Sequence, residues 1–402
     1  MTEPEDSGRS RRDEIALTLL CLSGYFFIGS LATLFPSIMP AVIGGFHLSL
    51  PQVGAIFPAS SIGGLLGGVL AGIWSDRVGR KPFFCGGALL SGFSLLGAFA
   101  APNWPLFVGC FLLLGAAQGA LGNSINALML DLNSLRRGKA LNSLHGIYSL
   151  GATVSPLLIK QMLGPAMNWR GTLFAAGSVW VTLSLVALGF RYPAASDAGT
   201  QRRTFNIALL GNGLFAMLFA VAFIYNGVAW ALLGWVKEFL RRVGADAGFA
   251  SGMISLFYLG LTGGRFACAY FSERLGYSKT LLLCAVGTTL VYPLATFGDR
   301  PLWIACGVFL SGLFLSGLYP TALAYGTRLF PAITGTITGT MSVAMTLGAS
   351  LPPWWTGVIG GAWGLPVALR FNYLLVVPLV GIGLYLLWQE GRGRAALEKA
   401  EA

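Results

Sequence analysis

Few side chains in this 402-residue sequence can do chemistry, and those few are sparsely placed. There are two histidines and fifteen carboxylates, and no carboxylate falls in the middle third of an apolar run. His145 stands with Asn142 and Ser149 at i, i+3, i+7 spacing, a polar stripe along one helix face. An imidazole there can titrate near neutral pH, touch a solute, or hydrogen-bond a neighbouring helix. Arg265 is the basic residue that lies deep in an apolar run. A guanidinium in hydrocarbon costs at least about 2.5–3.5 kcal/mol, so Arg265 needs water or a partner. It is read either as a planar fork for an anionic ligand or as a structural pair to carbonyls or acids. Tyr25, Gln118, Asn123, Asn126, Tyr148, Asn226, Trp230, Tyr258 and Tyr319 complete the candidate set. Amides with aromatic faces suit a polyol, whose hydroxyls need partners and whose C–H face stacks on rings. Any one of these residues is read first as helix packing; the set, rather than its members, is the candidate for ligand contact.

The elements that must hold them are membrane helices. The sequence is 55% hydrophobic and 10% charged, with a mean hydropathy of +0.71. A soluble surface needs about 25–35% charged residues, and a disordered chain would be far less apolar. The apolar runs extend over 20 or more residues, unlike the alternating segments of a membrane barrel. A bilayer core takes about 20 apolar residues per helix. Twelve spans are expected: 15–39, 51–75, 82–101, 104–129, 140–163, 170–190, 206–234, 248–271, 279–297, 301–326, 332–358 and 366–388.

The net charge of +11 comes in short clusters between the runs, not in a tract that could follow a nucleic-acid backbone. With the N-terminus inside, eighteen of the twenty-six basic residues fall in cytoplasmic segments, which places both termini in the cytoplasm. Anionic lipid headgroups are their natural partner. The run from Ile15 is too long for a signal peptide and reads as a retained first span. The six cysteines fall inside apolar runs without a CxxC, the placement of small buried hydrophobes. HExxH, GxSxG and Walker A spacings are missing, so neither an enzyme nor a built-in ATPase is expected, and no cofactor or metal is implied.

An internal repeat organises the runs. SLGATVSP at 149–156 returns as TLGASLPP at 346–353, an offset of 197 positions. The same offset sets Asp76-Arg77-Val78-Gly79 on Glu273-Arg274-Leu275-Gly276, Leu113 on Leu310 and Gly115 on Gly312. The expected architecture is an all-α membrane protein of two six-helix bundles related by a pseudo-twofold repeat, with a substrate site between them near the midplane. Its parts are a tail at 1–14, bundles at 15–190 and 206–390, a cytoplasmic linker at 191–205 and a tail at 391–402.

Gly72-Ile73-Trp74-Ser75-Asp76-Arg77-Val78-Gly79-Arg80-Lys81 resembles the GxxxDRxGRK signature of the major facilitator superfamily. Glu273-Arg274-Leu275-Gly276 resembles its degenerate second copy, and Asn168-Trp169-Arg170 also fits. The resemblance covers essentially the whole chain. It implies a secondary or facilitative transporter working by alternating access, with Asp76, Arg77, Gly79, Arg80, Lys81, Glu273 and Arg274 gating the inner face. Basic residues in that loop also simply mark the inside. Leu141-Asn142-Ser143-Leu144-His145-Gly146, Gly264-Arg265, Gly317-Leu318-Tyr319-Pro320 and Arg328-Leu329-Phe330-Pro331 are similar to the fucose-permease-like sugar transporters. That group often carries an acid in span seven, where this chain reads Tyr225-Asn226-Gly227-Val228-Ala229.

The function expected is therefore movement of a small organic solute, a sugar or related neutral polar compound, by a monomeric multi-pass protein of a bacterial inner membrane. Export of apolar drugs or lipids, organic-anion transport through Arg265, and a transport-dead receptor on the same fold are the alternatives. Without a mid-span carboxylate, weak or absent proton coupling is expected.

Overall fold

The computed structural model describes residues 11–133, 137–163, 168–193, 206–298 and 300–401. The side chains of Asp76, Asn142 and Glu273 lie outside those described, as do the 1–10 end of the tail and most of the 191–205 linker. Among the described residues there is no strand. The helices are α1 (Arg11–Ala32), α2 (Leu34–Phe46), α3 (Leu50–Gly54), α4 (Ile56–Val78), α5 (Arg80–Ala100), α6 (Trp104–Leu132), α7 (Arg137–Met162) and α8 (Trp169–Leu188). They continue as α9 (Gly213–Arg242), α10 (Ala247–Leu275), α11 (Tyr277–Phe297), α12 (Pro301–Leu315), α13 (Leu318–Leu329), α14 (Thr334–Trp363), α15 (Leu365–Phe371), α16 (Tyr373–Val376) and α17 (Pro378–Glu401).

Nine stretches among the described residues are long and apolar enough to cross a membrane, from Asp13–Phe46 to Leu365–Arg392. The other expected spans, 140–163, 248–271 and 332–358, are covered by α7, α10 and α14. The helix is interrupted within the expected spans 15–39, 51–75, 301–326 and 366–388, the last at Asn372 and Val377; in the first three, a carbonyl at or beside the break lies four residues before a proline. Pro36 withdraws the N–H owed to Ala32, Pro58 that owed to Gly54, and Pro320 that owed to Ser316. Side-chain caps start several helices: Asn103 accepts from Leu106 N at 3.1 Å, Asn168 from Gly171 N at 3.0 Å, and Asp246 from Phe249 N at 2.9 Å. Such caps satisfy N–H groups that have no partner within the helix.

The chain forms two compact units, Met1–Leu34 with Ile62–Gly199, and Phe35–Ser61 with Thr200–Ala402. In the first unit α1 packs on α7, and α5 on α6 and α8. Glycines set the contact of α4 with α6 and that of α1 with α7. A Cβ at Gly63 would strike the Leu112 carbonyl, one at Gly67 that of Ala116, and one at Gly151 that of Phe26. In the second unit the same contacts recur 197 positions on: Gly260 on Phe309, Gly264 on Leu313, and Gly348 on Phe223. Backbone approach of this kind is how membrane helices gain packing where burial from water drives nothing.

Within the second unit, α3 lies on α14, where Gly54 and Gly357 meet without side chains. Phe57 packs on Trp235, whose indole donates to the Pro353 carbonyl at 2.8 Å. Lys237, half-buried on α9, donates to the Ser37 carbonyl. Glu238, fully buried, accepts from Arg241 Nε and Nη2 at 2.8 Å and from Arg242 Nε at 2.7 Å.

Candidate functional site

In the first unit, four of the residues singled out from sequence come together. Gly29 on α1 leaves no Cβ between itself and the Tyr148 backbone, and Gly151 does the same for Phe26. With α1 and α7 this close, the Tyr25 ring sits edge-on to His145 at 5.8 Å and to Tyr148 at 6.5 Å between centroids. Asn126 reaches in from α6 and donates from Nδ2 to the Tyr25 hydroxyl and to the Gly122 carbonyl. Asn126 Oδ1 is buried without a hydrogen-bond partner. A phenol, an imidazole and an amide with a spare acceptor thus converge from three helices. An unsatisfied buried carbonyl costs about 1–3 kcal/mol, which a ligand hydroxyl or N–H would relieve.

The other two amides of α6 are committed to packing. Asn123 Nδ2 donates to the Gly68 carbonyl of α4 at 2.7 Å, and Gln118 Nε2 to Ser91 Oγ of α5 at 2.8 Å. Gln118 Oε1 is buried without a partner, away from the cluster on the face toward α5. Ser149 Oγ donates back to the His145 carbonyl at 3.1 Å.

In the second unit, Tyr319 stacks on Tyr225 at 6.1 Å with planes 13° apart. Tyr225 is not among the residues that the sequence singles out, whereas its neighbour Asn226 is. Asn226 Nδ2 donates to the Met345 carbonyl of α14 at 2.6 Å, so its donor is spent on that helix. Tyr258 is buried edge-on to Phe257 at 5.9 Å, while Trp230 and Arg265 are half-buried on α9 and α10.

The signature loop is organised around Arg80. Gly79 holds φ at 91°, a left-handed value that only glycine adopts cheaply, and it turns the chain sharply from α4 into α5. Arg80 is buried, with Nε 3.2 Å from Asp131 Oδ2 and Nη1 donating to Ser75 Oγ at 2.9 Å. Ser124 Oγ donates to the Arg80 carbonyl at 2.9 Å. Lys81 donates to the Leu188 and Phe190 carbonyls at 2.7 and 3.0 Å, capping the end of α8 where cations are favoured. It also lies 5.8 Å from the Tyr192 ring, and burial, above all, pushes that phenol up, so the ring is neutral. Arg77 is exposed. In the second unit Gly276 repeats the turn at φ 86°, and Arg274 lies over Tyr270 at 4.3 Å.

These features define a membrane transporter assembled from a repeat. The chain belongs to the Major Facilitator Superfamily, whose family model matches residues 21–253, and it is a multi-pass transporter of small solutes. The multidrug resistance protein MdtL of Shigella dysenteriae (serotype 1, strain Sd197) is 26% identical over 389 residues, covering 90% of this chain and 95% of that protein. Among solved structures, a mutant of the nucleoside transporter NupG superposes with a TM-score of 0.79 at 15% identity, covering 93% of this chain and 99% of that one. A D-xylose–proton symporter gives 0.77 at 16% identity, covering 94% and 97%. At such identities the structural likeness speaks for the fold.

Proposed function

We propose that this chain carries a small neutral polar solute, a sugar, nucleoside or similar polyol, by alternating access across a bacterial inner membrane. The reading takes all twelve expected segments as spans, with both termini cytoplasmic. One observation carries it: the Tyr25–Asn126–His145–Tyr148 cluster, where the Asn126 amide, its oxygen unpaired, donates to the hydroxyl of a tyrosine packed among aromatic rings. Hydroxyl-rich ligands supply the donor that oxygen lacks and an apolar face for the rings. Tyr225 and Tyr319 offer a second aromatic surface. Membership of the fucose-permease-like group rests on the span-five and span-ten motifs. Gating by the loop at 76–81 rests on the buried Arg80 and the tight turn at Gly79.

A second reading is export of apolar drugs. The similarity to MdtL over most of its length supports it, as do the aromatic side chains at both sites. A thermal-shift screen of the purified protein against neutral sugars and nucleosides, organic anions and lipophilic drugs separates the readings, since a ligand of the native state raises the melting temperature. Stabilisation by neutral polyols alone is expected. Stabilisation by lipophilic drugs alone would replace this reading with the second.

A further inference from the structure

Away from the candidate site, Cys268 of α10 and Cys284 of α11 bring their sulfurs to 3.8 Å. Both are free thiols, and among the described residues no other two cysteines are in hydrogen-bonding contact. The contact is built by a third residue. A Cβ at position 317 would strike both sulfurs, so Gly317 is what lets the two thiols sit side by side. Gly317 is also one of the two residues, with Ser316, at which α12 gives way to α13. Pro320 leaves the Ser316 carbonyl without its helical partner at that point. The thiol pair therefore lies against the interruption of span ten, with Cys268 half-buried and Cys284 buried.

We propose that Cys268 and Cys284 are a dithiol modification site, oxidised to a disulfide by a membrane-permeant hydroperoxide. The geometry needs little change. A disulfide requires about 2.05 Å between sulfurs, and the two already touch on adjacent helices. Cys268, the more accessible, attacks the peroxide oxygen. The O–O bond breaks, and the thiol proton leaves with the departing oxygen as water or alcohol. The resulting sulfenic acid is attacked by the Cys284 sulfur. The S–S bond forms, the S–O bond breaks, and hydroxide takes the Cys284 proton as a second water. Two thiols are oxidised by two electrons and one hydroperoxide is reduced. The product ties α10 to α11 beside Gly317 and stiffens the break between α12 and α13. This inference rests on helix geometry alone and stands whichever solute is carried.

The test uses the purified full-length protein treated with hydrogen peroxide, then alkylated and mapped by mass spectrometry. The expected result is loss of two of the six free thiols, recovered as one linked pair of peptides containing Cys268 and Cys284. Dithiothreitol reverses it. Cys268→Ser and Cys284→Ser each abolish the link while the remaining thiols still alkylate. Amide exchange across 313–320 slows several-fold in the oxidised protein and not in either variant. Six alkylated thiols after peroxide, linkage through any other cysteine, or unchanged exchange at 313–320 in a linked protein would overturn the proposal.

Discussion

Arg80 pairs with Asp131 at 3.2 Å, and 197 positions on the same two places hold Tyr277 and Arg328, with the guanidinium 5.8 Å from the ring centroid. The repeat keeps a cation-centred contact between the start of one helix and the end of the next, but moves the cation to the other helix. The two halves also differ in burial: Arg80 is buried, whereas Arg328 is exposed.

That difference sets the first prediction. Asp131→Asn leaves a buried guanidinium with a neutral partner and is expected to cost about 1.5–3 kcal/mol, the range for a charged hydrogen bond. Arg328→Met removes an exposed cation–ring contact worth about 0.5–1 kcal/mol. Unfolding midpoints of the two variants in detergent check this. Equal losses would show that the Arg80 pair is no more consequential than its counterpart.

The glycine contacts give a second prediction. Gly63→Ala and Gly260→Ala each push a methyl into a backbone carbonyl of the neighbouring helix, and overpacking of this kind costs about 1–3 kcal/mol. Gly252 has nothing within 4 Å of its missing Cβ, so Gly252→Ala is expected to leave the midpoint unchanged or raised. Parallel losses at 63 and 260 would confirm that the repeat is one of packing. A tolerant Gly260 would mean that the second half relaxes where the first does not.

Much of this was legible because it is periodic or local. Apolar runs give helices, the offset of 197 finds the same glycine contacts in both halves, and Gly79 with Arg80 names the turn from α4 into α5. What was not legible depends on which helix lies opposite. Nothing in the sequence marks 35–61 as packing with 200–402, since the contact between Gly54 and Gly357 joins small residues 303 positions apart. Asn123 and Asn126 look alike on α6, yet only the facing helices commit one to Gly68 and aim the other at Tyr25. The helix breaks at Thr33 and Ser316 follow from Pro36 and Pro320, yet the apolar runs continue through them, so hydropathy alone does not show them.

Coupling gives a third prediction. Among the described residues no carboxylate stands mid-span, and the buried Glu238 is held by Arg241 and Arg242 near the end of α9. Uptake into proteoliposomes is expected to be nearly indifferent to an imposed pH gradient. Strong gradient-driven accumulation that disappears in His145→Gln would instead make the imidazole a proton relay.

The charge of the solute gives a fourth. Arg265→Lys keeps the charge and removes the planar fork. A neutral solute is expected to bind this variant with little change, even if turnover falls. An anion held by the fork would lose about 1.5–3 kcal/mol, or roughly 10- to 150-fold in affinity.

The most direct test compares two amides on one helix. Binding of the best-stabilising neutral solute is measured by calorimetry on the wild type, Asn126→Ala and Asn123→Ala. Asn126 carries the spare acceptor beside Tyr25, whereas Asn123 is committed to the Gly68 carbonyl. The expected result is a drop of about 5- to 150-fold for Asn126→Ala, the loss of one buried hydrogen bond at about 1–3 kcal/mol, with near-normal affinity for Asn123→Ala. Unchanged affinity in Asn126→Ala, with the protein folded, would contradict placing the solute at the Tyr25–Asn126–His145–Tyr148 cluster.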